Sequence, residues 1–568
     1  MKFQICWLFA VAATAQAATP WSVQWSDQTY GPDGPWHAVS VQLGSNKQPV
    51  DLYPGSRWVS QILTTSVCSN ASTVCYAKRG GLYNISDSDT GFPLSTPTNT
   101  SELPWQSDLA STGVNVWGGP GHIKQGALAD TLRLPGGPAV PNVSMMAIYD
   151  AYQTYNGKNY PVTLGTLALG GTKRTHVVAN TALNMLAAWE YWNDTSSRQI
   201  PSYSWGMHIG AVEPEIPGSL VLGGYDQSRV LNQVSSQQVD PKKNLGNLKI
   251  YLEDIGIGVA TGDSPFGFQS KSGLFKWGDS TASASTRGRS VEIIPLLPYI
   301  YLPKTTCDAM AANLPVTFDE DLNLYLWNTE DKDYQNITSS PAYISFTFEM
   351  NSSNSQNLTV KVPFPLLKLT LQEPLVDRNM SYFPCYPSDS YILGRAFLQA
   401  AFVGVNWQDG TGAGKWFLAQ APGPAIGTGN QLSIAVDADS IEPSKNSWEA
   451  SWDGYWVPLG DLTTGNSTTG NSKSDSTIST GAKAGIGIGC AVGGLGLIGA
   501  LAWLFIHRKR AAKAKAAGVN QHKVPPTFAD GTQTTQTTEL CGLQLNELQA
   551  DKGAQEAPGS TTLRHELS

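Results

Sequence analysis

The chain has 568 residues, a formal net charge of −8, and 41% hydrophobic against 14% charged residues. An acidic balance with no basic patch ahead of residue 484 argues against nucleic acid as a partner. Its length exceeds what one hydrophobic core usually supports, so more than one folded unit is expected.

In chain order, Lys2, the apolar run Phe3 to Ala13 and the small-residue pattern Ala15-Gln16-Ala17 predict a cleavable secretory leader over residues 1–17. From about Trp21 to Ser440, short runs rich in Val, Ile, Leu, Tyr and Trp alternate with Gly, Pro, Asn, Asp and Ser, which is an all-β signature. Strands are expected at Ala38 to Leu43, Lys249 to Leu252 and Ala342 to Met350, where apolar and polar residues partly alternate. Helices are expected at Thr181 to Tyr191 and Thr305 to Asn313. A polar stretch around Gln233 to Gly246 predicts a join between residues 18–232 and 246–440. Residues 441–483 hold an aromatic segment, Trp448 to Trp456, and a Ser/Thr/Gly-rich stretch, Asp461 to Lys483, expected to form an extended stalk.

Residues 484–506 carry no charge and are long enough to cross a ~30 Å hydrocarbon core. The basic run His507-Arg-Lys-Arg510, with Lys513 and Lys515, then predicts a cytoplasmic tail over 507–568 and a single pass with the N-terminus outside. The tail reads as disordered, although Leu540, Leu543 and Leu548 allow a short helical face. Gly485, Gly489 and Gly493 recur at a spacing that allows a helix-mediated dimer. All the Asn-x-Ser/Thr acceptors precede the predicted span: Asn70, Asn84, Asn99, Asn142, Asn193, Asn336, Asn351, Asn357, Asn379 and Asn466. The expected location is the cell membrane or a secretory-pathway membrane, with these residues extracellular or luminal. Cys6, Cys490 and Cys541 fall in the leader, span and tail. The remaining Cys68, Cys75, Cys307 and Cys385 allow three pairings, of which near-neighbour pairing is simplest if the two halves fold separately.

Several motifs occur in a telling order. They are Gly165-Thr-Leu-Ala-Leu-Gly170, Ile200-Pro-Ser-Tyr-Ser-Trp-Gly-Met-His-Ile209, Gly218-Ser-Leu-Val-Leu-Gly-Gly-Tyr-Asp226, Tyr299-Ile-Tyr-Leu-Pro303 and Tyr391-Ile-Leu-Gly-Arg-Ala-Phe-Leu398. Over about four hundred residues this series resembles the pepsin-like (A1) aspartic peptidases, in particular the membrane-anchored fungal type. The resemblance implies a bilobal all-β fold with an interlobe cleft. It also implies a disulfide from Cys307 to Cys385 in the C-terminal lobe.

Activity in that family needs two carboxylates sharing one proton, one activating water and the other protonating the carbonyl. The resemblance places the second aspartate at Ile294, and no Asp occurs between Ser290 and Leu302. Glu292 lies two residues upstream, on the same face of a strand but ~6 to 7 Å away. In the first loop, Asp51-Leu-Tyr-Pro-Gly-Ser-Arg-Trp-Val59, three registers remain open. Anchoring on Trp58-Val59 selects Asp51, anchoring on Pro54-Gly55-Ser56 selects Tyr53, and counting from Gln48 selects Gly55. Trp117 stands where the family's flap carries a tyrosine and is a candidate to cap the cleft, or else packs on its own lobe.

No cofactor is expected. The histidines His37, His122, His176 and His208 are scattered, so no metal site is expected. Neither a Gly-x-Ser-x-Gly elbow nor a phosphate-binding glycine loop occurs. Three readings follow: a catalytically silent surface protein binding peptide or glycan in its cleft, an active aspartic endopeptidase with an altered Asp51–Glu292 dyad, and a signalling or scaffold receptor.

Overall fold

The computed structural model describes residues 18–69, 74–100, 121–155, 158–178, 180–187, 199–239, 246–277, 288–351, 356–408 and 414–460. The expected leader, stalk, membrane segment and tail lie outside the described residues, as do Trp117, Asn70, Asn193 and Asn466. Among the described residues no helix is long and apolar enough to cross a membrane.

The architecture is mostly β-sheet. Alternation in sequence becomes alternation in burial: Trp36–Leu43 buries Trp36, Ala38, Val41 and Leu43, while Ala342–Glu349 buries Ala342, Ile344, Phe346 and Phe348. A 12-stranded sheet is built from residues before Met185. An 8-stranded and a 4-stranded sheet come from residues between Lys249 and Leu393.

A six-stranded sheet ties the two halves together, in the order Trp21–Ser22, Ser219–Leu222, Ser204–His208, Ala401–Asn406, Gly414–Gln420, Leu231–Val239. Each half supplies three neighbouring strands, which meet where Trp205 faces Val405. Leu231–Val239 therefore places the first part of the expected join inside a sheet.

The larger sheets contain a duplicated unit. In the first half, β1 (Gln48–Ser56), β2 (Ser60–Leu63), β3 (Ala139–Tyr155) and β4 (Gly165–Ala168) lie in the order β3-β2-β4-β1. There β3 runs parallel to β2, while β4 is parallel to β1 and antiparallel to β2. In the second half, β5 (Arg289–Ile293), β6 (Ile300–Leu302), β7 (Cys385–Pro387) and β8 (Ile392–Leu393) repeat the pattern as β7-β6-β8-β5. Again β7 is parallel to β6, and β8 is parallel to β5 and antiparallel to β6.

Both disulfides join the near neighbours, Cys68 to Cys75 and Cys307 to Cys385, with Cα atoms 5.5 and 5.7 Å apart. The helix Lys304–Ala311 matches the expected one. Thr181 does not begin a helix, however. Thr181–Asn184 is a strand in a hairpin with Thr175–Val178, and Asn184 also pairs with Val143. Hairpin pairing, with the one bridge to Val143, has overridden helical propensity there.

The aromatic segment packs back onto the body. Trp452 and Trp456 stack with centroids 5.1 Å apart, Trp448 lies 5.2 Å from Trp456, and Tyr343 meets Trp448 edge-on at 5.8 Å. Lys361 Nζ sits 4.7 Å from the centroid of the Trp448 ring. This segment thus belongs with the folded body and lies ahead of the expected stalk.

Candidate functional site

The duplicated unit brings two loops face to face, the β1–β2 loop and the β5–β6 loop. Strand pairing fixes their correspondence. Thr166 of β4 faces Tyr53 and Gln61, and Ile392 of β8 faces Glu292 and Tyr301, so Tyr53 corresponds to Glu292 and Gln61 to Tyr301. One step on, Leu167 pairs with Pro54 and Leu393 with Ile293. The next residues, Gly55 and Ile294, are therefore equivalent.

Gly55 is a bulge. Leu167 pairs with Pro54 and Ala168 with Ser56, so Gly55 has no partner across the ladder, and its φ is +128°. A Cβ there would lie 2.6 Å from Pro295 Cβ in the opposite loop. The loops thus meet glycine against proline, and only a residue without a side chain fits the first position. Of Asp51, Tyr53 and Gly55, it is Gly55 that strand pairing makes the counterpart of Ile294. Ile294 is buried at 5% exposure, its N–H donating to Leu393 O at 3.1 Å.

The two nearest acids are held separately. Asp51 accepts hydrogen bonds from Ser26 Oγ at 2.5 Å, Ser40 Oγ at 2.7 Å and the Tyr30 hydroxyl. Burial and the hydrogen bond to Asp51 push the Tyr30 phenol up to about 12. Glu292 is buried, and its Oε2 accepts from Asn247 Nδ2 at 2.9 Å with Lys249 Nζ at 3.9 Å. Asn247 Oδ1 in turn accepts from Arg57 Nη1. Burial raises the Glu292 carboxyl above its ordinary value, opposed by Arg57 and Lys249. Asp51 and Glu292 share none of these partners.

Arg395 bridges the two halves, a role with no advance signal beyond its place after Ile392-Leu-Gly394. Its guanidinium lies 4.3 Å from the Tyr53 ring centroid and 5.0 Å from that of Trp36. Nη1 donates to Leu296 O at 2.8 Å, which holds the second loop. Asp33 is buried nearby and accepts from Trp36 Nε1 at 2.9 Å; burial raises its carboxyl above the ordinary value, opposed by the Arg395 charge. The Tyr53 hydroxyl is buried without a protein partner.

Below the loops, a cavity of about 30 Å³ bordered by Gly55, Glu292, Ile294, Trp205 and Trp407 has room for little more than a water molecule. Two larger spaces lie apart from it, one set almost wholly in the first half and the other bordered by both halves. One of about 810 Å³ is bordered by Tyr76, Lys124, Tyr149, Tyr152 and Pro374. Another of about 560 Å³ is bordered by Tyr30, Tyr76, Arg79, Glu373 and Asn379. Tyr76 belongs to both, and Glu373 beside it contributes to the raised pKa of its phenol after burial.

The described acceptor asparagines all keep some exposure: Asn99, Asn142, Asn357 and Asn379 are exposed, while Asn84, Asn336 and Asn351 are half-buried. Comparison with protein-family models finds no match, and comparison with curated proteins finds none either.

Proposed function

We propose that this chain is a single-pass membrane glycoprotein whose ectodomain has a bilobal, pepsin-like fold. In this reading it is catalytically silent and binds peptide or glycan in the interlobe groove. The observation that carries the reading is the equivalence of Gly55 and Ile294. The two loops that would each need to present a carboxylate to a shared water instead meet through glycine and proline, with Arg395 holding the second loop by its carbonyl. Proton sharing requires two acids in mutual contact. Asp51 and Glu292 are instead committed to different hydrogen-bond partners, which weighs against the altered-dyad alternative.

The groove supports the binding half of the proposal. Tyr76, Tyr149 and Tyr152 offer aromatic surface, and Lys124, Arg79 and Glu373 offer polar contacts, a mixture suited to peptide or saccharide. The full chain, screened against peptide and glycan arrays, is expected to retain a ligand whose affinity falls roughly tenfold in Tyr76→Ala, as for a central aromatic contact. Retained binding that is indifferent to both Tyr76→Ala and Tyr149→Ala would place the ligand elsewhere and overturn the groove assignment.

A further inference from the structure

Resting on that groove reading, we infer that an N-linked glycan on Asn379 covers the groove at Tyr30 and Arg79 and shields Tyr76. Asn379 begins the acceptor Asn379-Met380-Ser381, is exposed, and borders the 560 Å³ space together with Tyr30, Tyr76 and Arg79. Its position is fixed. Strands Leu369–Leu371 and Met380–Phe383 form a hairpin in which Leu371 faces Met380, so Asn379 immediately precedes a paired residue. The base of that hairpin is tied to the first half, Gln372 N donating to Pro32 O at 2.7 Å and Thr370 N to Gly34 O at 3.2 Å. A saccharide attached here is presented at the groove wall by a rigid element.

The modification needs a lipid-linked oligosaccharide diphosphate as donor. The bond from the anomeric carbon to the diphosphate breaks, and the diphosphate leaves with the electron pair. A bond forms from that carbon to Asn379 Nδ2, which gives up one proton. The bulky product stands at the Tyr30 and Arg79 end. Tyr76, which borders this space and the neighbouring one, is thereby shielded.

The test compares the full chain, made in a secretory eukaryotic host, with Asn379→Gln and Ser381→Ala, two variants that remove the acceptor by different changes. Glycopeptide mass mapping reads occupancy at Asn379, and tetranitromethane nitration reads access to Tyr76, with Tyr152, which does not border the Asn379 space, as the reference. The expected result is an occupied Asn379 and a severalfold rise in Tyr76 nitration in both variants, with Tyr152 unchanged. An unmodified Asn379, or Tyr76 nitration equal in all three proteins, would overturn the inference. Nitration requires no groove ligand, so failure of peptide or glycan binding leaves this readout standing, and failure here leaves that binding standing.

Discussion

The two loops of the duplicated unit share a topology and differ in how each is held. The first turns on a bulged glycine, with Gly55 at positive φ and packed against Pro295. The second is held from outside, by Arg395 donating to Leu296 O and by the close approach of Gly394, where a Cβ would lie 2.2 Å from Leu297 O. Backbone geometry fixes one loop and a buried charge fixes the other. Neither arrangement needs an acid at the loop contact.

The largest expected effect comes from removing the charge. Arg395→Ala removes a buried guanidinium that donates to Leu296 O and packs on the Tyr53 and Trp36 rings, and should lower the midpoint in denaturant unfolding more than any other substitution considered. An unchanged midpoint would show that Arg395 does not hold the second loop.

The disulfides extend the comparison, one in each half. Cys307–Cys385 spans 78 residues and Cys68–Cys75 spans 7. Loop-closure entropy then predicts losses of about 4 and about 2 kcal/mol for the respective double Cys→Ser variants. Equal losses would mean that the two halves are not stabilised as described.

A smaller effect is expected at the first loop. Gly55→Ala must place a Cβ against Pro295 in a backbone conformation that disfavours side chains, costing about 2 kcal/mol by the same unfolding measurement. A neutral result would remove the bulge argument, and with it the equivalence of Gly55 and Ile294.

The smallest effect separates Glu292 from the rest. Its pKa is raised in the folded state, so its contribution is fully present at low pH and is lost as pH rises above the ordinary 4.5 and through the raised value. Glu292→Gln lacks this loss. Wild-type stability relative to the variant should therefore fall as pH rises through that window, whereas Asp33 titrates alike in both proteins and cancels. A difference independent of pH would show that Glu292 is not desolvated.

What the sequence disclosed follows how local each signal is. Alternating runs such as Trp36–Leu43 and Ala342–Glu349 announce their strands, and near-neighbour cysteines announce the pairing. The absence of an aspartate in the second loop is equally plain, since Glu292 is the one acid between Ser290 and Leu302. The register of the first loop is hidden, because it depends on Leu167 and Ala168 more than a hundred residues away and on Pro295 across the contact. Thr181–Asn184 is a different case, since its partner Thr175–Val178 is the adjacent arm of a hairpin and the turn between them is the local signal that counts. Arg395 gave no warning because its partners, Trp36, Tyr53 and Leu296, come together only in the folded chain.

The central claim, a peptidase-like scaffold without its acid pair, is tested most directly by incubating the purified full chain with a peptide library from about pH 3 to pH 7, the range in which a carboxylate pair shares a proton. A parallel sample contains a transition-state-mimicking aspartic peptidase inhibitor. The account predicts no inhibitor-sensitive cleavage at any pH. Inhibitor-sensitive cleavage that disappears in Asp51→Asn or Glu292→Gln would contradict it.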